Sequence, residues 1–310
     1  SSTDSATNPS FLAVSPDNQK IYTVNETGGE QPGYVSAYEF DAATGQLYYI
    51  NSQPTGGDHP CYVTVDKTGK WVITGNYSGG NISVFPVASD GSLKHYVQKI
   101  QHTGNSVNKS RQEKPHVHGT FFSPDEKYLL VPDLGTDKLM MYLFNPSAKQ
   151  PLKTAAMPFA ASAPGSGPRH LDFHPNQKFV YLLEELTGTI KAYRYTHGYL
   201  TGIQQTATHP KDFSGQPGSA DIHVSPDGKF LYASNRGEEN NLAIFSIDQN
   251  TGKLAAIGYQ PIPGAGPRNF IIEPGGNFLL VANQRTNNIV TYRIDKQTGL
   301  LQQLIRQTEV

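Results

Sequence analysis

The sequence predicts an all-β protein built from repeated four-stranded antiparallel units, and three observations support this fold class. The chain of 310 residues contains 30 Gly and 22 Pro, about one residue in six, as expected for many tight turns. It also contains 17 Tyr and 14 Phe, which favour short strands. A unit of about 50 residues recurs six times, and no segment shows a convincing helical period.

Each repeat opens with a short apolar run and then a turn. The runs lie at residues 11–14, 62–65, 120–122, 171–173, 222–224 and 270–272. The turn has the sequence Ser-Pro-Asp beginning at Ser15, Ser123 and Ser225, and variants of it occur in the other repeats. Proline presets the backbone dihedral of the first turn position. From Pro124 onward, successive turn prolines are 51, 51 and 48 residues apart.

Three more strands complete each repeat. Second strands are predicted, among others, at residues 20–24, 71–75, 179–183 and 230–234. Third strands are predicted at 34–40, 81–85, 138–144, 189–195, 241–247 and 288–294. Fourth strands open at turn-like residues such as Gly45, Gly91, Gly198, Gly252 and Gly299. Four antiparallel strands repeated six times predict a single β-propeller domain over residues 1–310, with a stacked β-solenoid or a pair of sandwiches as the alternative.

Composition excludes several classes of function. With 25 Lys and Arg against 26 Asp and Glu, the chain has no general polyanion-binding charge, so we expect no nucleic-acid partner. No apolar run reaches the ~18 residues of a membrane helix, and the sequence shows no signal-peptide pattern, so we expect no membrane partner and a cytoplasmic location. The single cysteine, Cys61, excludes an internal disulfide and a cysteine-based zinc site.

Propeller topology brings together the residues just before each first strand and just after each second strand. Those positions carry His59-Pro60, His116-Val117-His118, Gly167-Pro168-Arg169-His170, Ser219-Ala220-Asp221, Gly266-Pro267-Arg268-Asn269, Asn25-Glu26, Asn76-Tyr77, Asp133, Glu184-Glu185, Asn235-Arg236 and Asn283-Gln284-Arg285. Such a set predicts an anion-recognising cleft, because guanidinium groups suit carboxylate or phosphate. We expect substrate binding by His116, His170, Arg268, Asn76, Asp133 and Asn283.

Catalysis at this cleft needs a proton-transfer group and a stabiliser of negative charge. His118 and Glu185 are the available proton-transfer groups, and Arg169 and Arg236 are the candidate stabilisers of an oxyanion. A water activated by His118 or Glu185 could then attack a carbonyl carbon. Which of Glu184 and Glu185 faces the cleft is left open, because neighbouring residues in a strand alternate in direction.

Structural roles are the alternative for several of these residues. Polar strand ends in a propeller channel can simply satisfy backbone groups, and Arg268 can be a structural copy of Arg169. His116 and His118 share a side of an extended segment, but no third ligand is specified, so we expect no metal and no other cofactor. His223, within a first strand, is expected to be a packed core residue. Two long connections, at residues 102–115 and 206–219, are candidate rims or lids.

At these residues the sequence resembles the propeller-type lactonase family, which contains propeller 6-phosphogluconolactonases and the fungal carboxy-muconate lactonising enzyme. The resemblance spans essentially the whole chain. Its most specific segments are Gly167-Pro168-Arg169-His170, Glu185-Leu186, Phe213, Ala220-Asp221-Ile222-His223, Ser225-Pro226-Asp227-Gly228, Asn235-Arg236 and the single residue His118.

The resemblance implies a lactone hydrolase acting on a phosphorylated sugar lactone such as 6-phosphogluconolactone. It implies catalytic roles for His118, Arg169, Glu185 and Arg236, a small anionic lactone as partner, and seven blades where six repeats are visible. A lactone-forming cycloisomerase of the carboxy-muconate type and a non-catalytic ligand-binding propeller are the alternatives. The oligomeric state is not indicated.

Overall fold

The computed structural model describes residues 6–309, and the side chains of residues 303–307 are not described. Within that range the chain forms 24 strands and no helix, arranged as six four-stranded sheets. Every sheet is antiparallel and pairs its strands in chain order, which confirms the predicted all-β repeat. The described residues therefore include no helix that could span a membrane. Two compact units divide the chain, Ser1–Pro164 and Gly165–Val310.

The first unit contains three sheets. The first sheet comprises β1 (Pro9–Val14), β2 (Lys20–Asn25), β3 (Tyr34–Asp41) and β4 (Gln46–Pro54). The second comprises β5 (Pro60–Val65), β6 (Trp71–Asn76), β7 (Asn81–Pro86) and β8 (Gln98–Gln101). The third comprises β9 (Phe121–Phe122), β10 (Tyr128–Asp133), β11 (Lys138–Phe144) and β12 (Leu152–Ala161).

The second unit contains the other three sheets. The fourth sheet comprises β13 (Pro168–Phe173), β14 (Phe179–Glu184), β15 (Thr189–Thr196) and β16 (Tyr199–Ala207). The fifth comprises β17 (Ser219–Val224), β18 (Phe230–Asn235), β19 (Asn241–Ile247) and β20 (Leu254–Pro261). The sixth comprises β21 (Pro267–Ile272), β22 (Phe278–Asn283), β23 (Asn288–Ile294) and β24 (Leu301–Glu309).

The core of each unit lies between consecutive sheets. Phe179 and Tyr181 of the fourth sheet, for example, belong to one cluster with Leu231 and Phe245 of the fifth. The second strands β6, β14 and β18 are buried along their whole length, so their sequences are apolar on both faces rather than alternating. Outer strands such as β20 are largely exposed.

The Ser-Pro-Asp turns form as predicted. In the turn of the fifth sheet, the hydroxyl of Ser225 donates to Asp227 at 2.6 Å and accepts from the backbone N–H of Phe230 at 3.0 Å. Gly228 completes this turn with a φ of 74°, in the region that glycine adopts without strain. The hydroxyl of Ser123 makes the equivalent contact with Asp125 at 2.7 Å.

A β-bulge lies near the start of the first strands. In the fourth sheet Pro168 pairs with Glu184 and His170 with Leu183, which leaves Arg169 as the extra residue. The same register shift places Cys61 and Arg268 in the equivalent positions of the second and sixth sheets. Bulges re-aim a side chain, so these positions depart from strand alternation.

The third sheet carries a shorter first strand than predicted. Only Phe121 and Phe122 pair as a strand, whereas the sequence predicted residues 120–122. Before this strand, Val117 forms an isolated bridge with Asp133, as Pro168 pairs with Glu184 in the fourth sheet. His118, which follows Val117, is therefore equivalent to Arg169, which follows Pro168.

Candidate active site

Two arginines and one glutamate of the second unit form what we call the Arg–Glu cluster. Nη1 of Arg169 lies 3.0 Å from Oε2 of Glu185, and Nη2 of Arg236 lies 3.2 Å from Oε1 of the same carboxylate. The cluster therefore contains two positive charges and one negative charge, and each carboxylate oxygen is held by a different guanidinium.

The bulge in β13 directs Arg169 inward. Its side chain is 2% exposed, which is exceptional for an arginine and requires paired and hydrogen-bonded charge. Nε of Arg169 donates to the carbonyl oxygen of Ala220 at 2.6 Å, so the guanidinium is fixed by the neighbouring sheet and by Glu185.

The choice between Glu184 and Glu185 is settled by their partners. The carboxylate of Glu184 accepts hydrogen bonds from Thr189 at 2.5 Å and from Gln205 at 3.1 Å, within its own sheet. Glu185, the next residue, faces the other way and contacts both arginines of the cluster.

Arg236 is the most accessible member of the cluster. Its side chain is 20% exposed, against 6% for Glu185. Nε of Arg236 donates to the carbonyl oxygen of Gly218 at 3.0 Å, and Nη2 approaches that of Ser219 at 3.4 Å. The connection at residues 206–219, a candidate rim or lid, therefore supplies the backbone groups that orient this arginine.

A second group of polar residues, which we call the Asp221 network, lies beside the cluster and consists of Asp221, His170, His223 and Asn269. Nδ1 of His170 is 2.8 Å from Oδ1 of Asp221, and Nε2 of His223 is 3.2 Å from Oδ2. Nδ2 of Asn269 donates to Oδ2 of Asp221 at 2.6 Å. Three sheets thus share one carboxylate.

The two imidazoles of this network are in opposite charge states near neutral pH. Burial, which disfavours the imidazolium form, lowers the pKa of His170 to about 4, and the charges of Arg169 and Arg268 act in the same direction. Burial alone would also lower the pKa of His223, but the carboxylates of Asp221 and Asp172 outweigh it and raise that pKa to about 9.

Asp221 remains ionised in this setting. Burial alone would raise the pKa of Asp221, but the positive charge of His223 and the hydrogen bonds from both imidazoles hold it well below its usual range. Because Asp221 is an acceptor, His170 donates from Nδ1, which makes Nε2 its unprotonated nitrogen.

The expected core position of His223 was wrong. Its side chain is 35% exposed and ion-paired, although its ring also contacts Phe270 edge-on at 4.8 Å. The Asp221 network was not predicted, although the sequence contains one signal for it. Asp221 and His223 are two residues apart in β17, so their side chains share a face of the strand.

The first unit contains its own group of predicted site residues. The ring of His116 stacks on Tyr77 with centroids 4.4 Å apart, and the ring of His118 meets the same tyrosine edge-on at 5.3 Å. Nδ1 of His118 lies 3.8 Å from Sγ of Cys61. Arg111, from the connection at residues 102–115, donates to the Tyr77 hydroxyl at 3.2 Å.

Three predicted substrate-binding residues are bonded within their own units. Asn76 donates to Asn81 at 2.6 Å and Asn283 to the carbonyl of Pro263 at 3.3 Å. Asp133 contacts Nδ1 of His102 at 2.8 Å. They are at most 2% exposed, which favours the structural role over substrate contact.

The remaining predicted contact, Arg268, is partly exposed and occupies the bulge position of the sixth sheet that Arg169 occupies in the fourth. Over the described part of the chain, no group of three or more His, Cys, Asp or Glu side chains could hold a metal ion.

The family model and three relatives that this chain matches are named as lactonases. Residues 1–310 match the family model described as "Lactonase, 7-bladed beta-propeller". Proteins named 6-phosphogluconolactonase are 41% identical in Formosa agariphila, over 98% of this chain and 86% of that one, and 38% identical in Bacillus subtilis, over 95% and 82%. The solved structure of PpgL, the periplasmic gluconolactonase of Pseudomonas aeruginosa, has a TM-score of 0.92 at 37% identity, covering 98% of this chain and 86% of that one.

Proposed function

Since the chain belongs to the seven-bladed β-propeller lactonase family, we propose that it is a hydrolase that opens a phosphorylated sugar lactone such as 6-phosphogluconolactone. The described residues form six four-stranded sheets. The number of seven blades comes from the description of the family.

The Arg–Glu cluster is the observation that carries the proposal. Water attacks the lactone carbonyl carbon, the carbonyl oxygen becomes an oxyanion, and the bond from that carbon to the ring oxygen then breaks. The ring oxygen takes up a proton, and the product is the open-chain hydroxy acid. A guanidinium aimed at the oxyanion stabilises this transition state.

The different exposures of the three side chains support a different role for each member of the cluster. Arg236, with the most exposed side chain of the three, binds the oxyanion or the anionic group of the substrate. Arg169, which is almost completely buried, holds Glu185 in position. Glu185 accepts the proton of the attacking water, and proton transfer by His118 stays a prediction.

The test is hydrolysis of freshly generated 6-phosphogluconolactone, with the spontaneous rate subtracted because sugar lactones open readily unaided. We expect Arg236→Ala and Glu185→Gln each to lower kcat about 10²–10³-fold. His118→Asn should lower it about 10²-fold if the imidazole transfers a proton.

Arg194→Ala is the matched control. This exposed arginine lies over the ring of Phe179 and has no contact with the cluster. Wild-type rates in both cluster variants would overturn the proposal. Accumulation of a lactone from a carboxylated diene, without hydrolysis, would instead identify the cycloisomerase, and no turnover at all would identify a binding propeller.

Two further expectations belong to this proposal. A single propeller domain over residues 1–310 predicts one cooperative calorimetric transition, and two transitions would contradict it. The cytoplasmic location stays a prediction, to be tested by fractionating cells, and recovery in the periplasm would place this protein with PpgL.

A further inference from the structure

The backbone at the start of β17 holds both arginines of the cluster. The carbonyl oxygens of Gly218 and Ser219 accept from Arg236 at 3.0 and 3.4 Å. The carbonyl oxygen of Ala220 accepts from Nε of Arg169 at 2.6 Å. The path of three consecutive peptide groups therefore sets the direction of two guanidiniums from different sheets.

Gly218 and Ser219 are held by the neighbouring strand, because the backbone N–H of Arg236 donates to the Gly218 carbonyl at 3.1 Å and the Ser219 hydroxyl donates to Asn235 at 2.7 Å. The pairing becomes irregular only after Ser219. Ser219 pairs with Asn235 and Ile222 with Ala233, and the register shifts between them. The backbone N–H of Asp221 donates to the hydroxyl of Ser234 at 3.0 Å. A bulge makes the Ala220 carbonyl available to Arg169, but it also removes ladder hydrogen bonds that would fix the segment.

The carboxylate of Asp221 supplies the missing constraint. It accepts from the backbone N–H groups of Ile222 and Phe270, each at 3.1 Å. It also accepts from the side chains of the Asp221 network, so its contacts reach β13, β17 and β21. Five donors around one carboxylate connect the first strands of three sheets where no strand ladder joins them.

We propose that Asp221 is a positioning residue for lactone hydrolysis, because its carboxylate fixes the irregular backbone at residues 220 and 221, where the Ala220 carbonyl orients Arg169. The proposal rests on the proposed function for its kinetic consequence. Its geometric part concerns the Arg169 guanidinium and can be measured without any substrate.

A carboxylate is required here because each of its five hydrogen-bonding partners offers a hydrogen. An asparagine would turn an N–H₂ group towards the donors of His223, Asn269 and Phe270. The charged and titratable groups that act on Asp221 are His170 and Asp172 on β13 and His223 on β17, and the charges of Arg169 and Arg268 act on His170. Of these, only Asp172 is acidic.

The kinetic experiment compares Asp221→Asn with Asp227→Asn. The control removes the same charge from the same hairpin, at the exposed Ser-Pro-Asp turn. Both are assayed at matched folded fractions with 6-phosphogluconolactone. A displacement of Arg169, and with it of Glu185, by about 1 Å should lower kcat of Asp221→Asn roughly 10²-fold. A purely structural role predicts a lower Tm with wild-type kcat per folded molecule, and that result would overturn the proposal.

The second measurement follows exchange of the arginine Nε–H protons by ¹⁵N NMR. In the wild type the Nε–H groups of Arg169 and Arg236 should exchange slowly, because both are hydrogen-bonded to backbone carbonyls. We expect exchange of the Arg169 proton to be at least about tenfold faster in Asp221→Asn and unchanged in Asp227→Asn.

The two measurements separate the two hypotheses. Faster exchange in a protein that hydrolyses no lactone would overturn the proposed function and leave the anchoring role intact. Unchanged exchange would overturn the anchoring role whatever the activity. Should Asp221→Asn fail to fold, His223→Leu, which removes one of the five donors, must show the faster exchange.

Discussion

The third and fourth sheets use the same backbone feature for different chemistry. In the fourth sheet the bulge carries Arg169, which is surrounded by charge and paired with Glu185. In the third sheet the equivalent position carries His118, which lies beside the ring of Tyr77 and the thiol of Cys61.

The difference shows that the bulge determines the position of a side chain, while the residues of neighbouring sheets determine its partners and therefore its chemistry. Arg169 is tied to its surroundings by ionic hydrogen bonds, so its removal leaves a buried carboxylate with one partner fewer. The contacts described for His118 are with the aromatic ring of Tyr77 and the thiol of Cys61, and both of these groups are uncharged.

The largest expected effect is on the free energy of unfolding, and it is tested by substituting each of these two residues. Arg169→Met should lower the free energy of unfolding by about 3–5 kcal/mol, because it leaves Glu185 incompletely paired in the interior. His118→Phe, which keeps an aromatic ring beside Tyr77, should cost only about 1 kcal/mol. Urea unfolding monitored by circular dichroism measures both, and equal losses would abolish the distinction between the two sites.

The next effect concerns acid sensitivity in the second unit. The pKa of His170 is lowered from 6.5 to about 4 by burial, so only the unfolded chain takes up this proton between those pH values. The stability due to neutral His170 is present above pH 6.5 and is lost as the pH falls, by about 3 kcal/mol at pH 4.

The comparison for this prediction is His170→Asn, whose amide can still donate to Asp221. The wild type should lose more stability than this variant between pH 6.5 and 4. Parallel pH profiles for the two proteins would show that His170 contributes nothing to acid unfolding.

Alkaline pH tests the other imidazole of the network. The pKa of His223 is raised from 6.5 to about 9 by the carboxylates of Asp221 and Asp172. Its contribution is fully present below pH 6.5 and disappears as the pH rises through about 9. Since the side chain is partly solvent-exposed, screening reduces the contribution to about 1–2 kcal/mol.

His223→Gln is the reference for this measurement, because it cannot titrate. Thermal unfolding from pH 6 to 9.5 should show a decline in the wild type that is absent from the variant. A decline of the same size in both would assign the effect to other groups.

The smallest effect lies in the first unit. Tyr77→Phe removes the hydroxyl that accepts a hydrogen bond from Arg111 and keeps the ring that stacks on His116. We expect a loss of about 0.5 kcal/mol, near the lower end for a single hydrogen bond at a partly exposed site. Tyr77→Ala, which removes the stacking ring as well, should cost clearly more, and a larger loss from Tyr77→Phe would reverse our ranking of the two contacts.

Much of the architecture follows from local patterns in the sequence. Ser225, Pro226 and Asp227 specify a turn through side-chain hydrogen bonds that reach only a few residues along the chain. The fully buried second strands follow from continuous apolar runs, because they are covered on both faces. Such features are visible without knowledge of any distant contact.

The choice between Glu184 and Glu185 could not be made from local sequence patterns. Two adjacent glutamates have the same chemistry, and strand alternation says only that they point in opposite directions. The partners that distinguish them, Gln205 on one side and Arg236 on the other, are 21 and 51 residues away in the chain.

By itself, the sequence determined the repeat, its turns and the set of residue types suited to recognising an anion. Only the tertiary structure decided that Arg169, Glu185 and Arg236 share one ionic contact, and that Asp221 connects three inner strands. The physical reason is that turns and strands depend on short-range sterics and hydrogen bonds. The charge state and direction of a buried side chain depend instead on groups that only folding brings within a few ångströms.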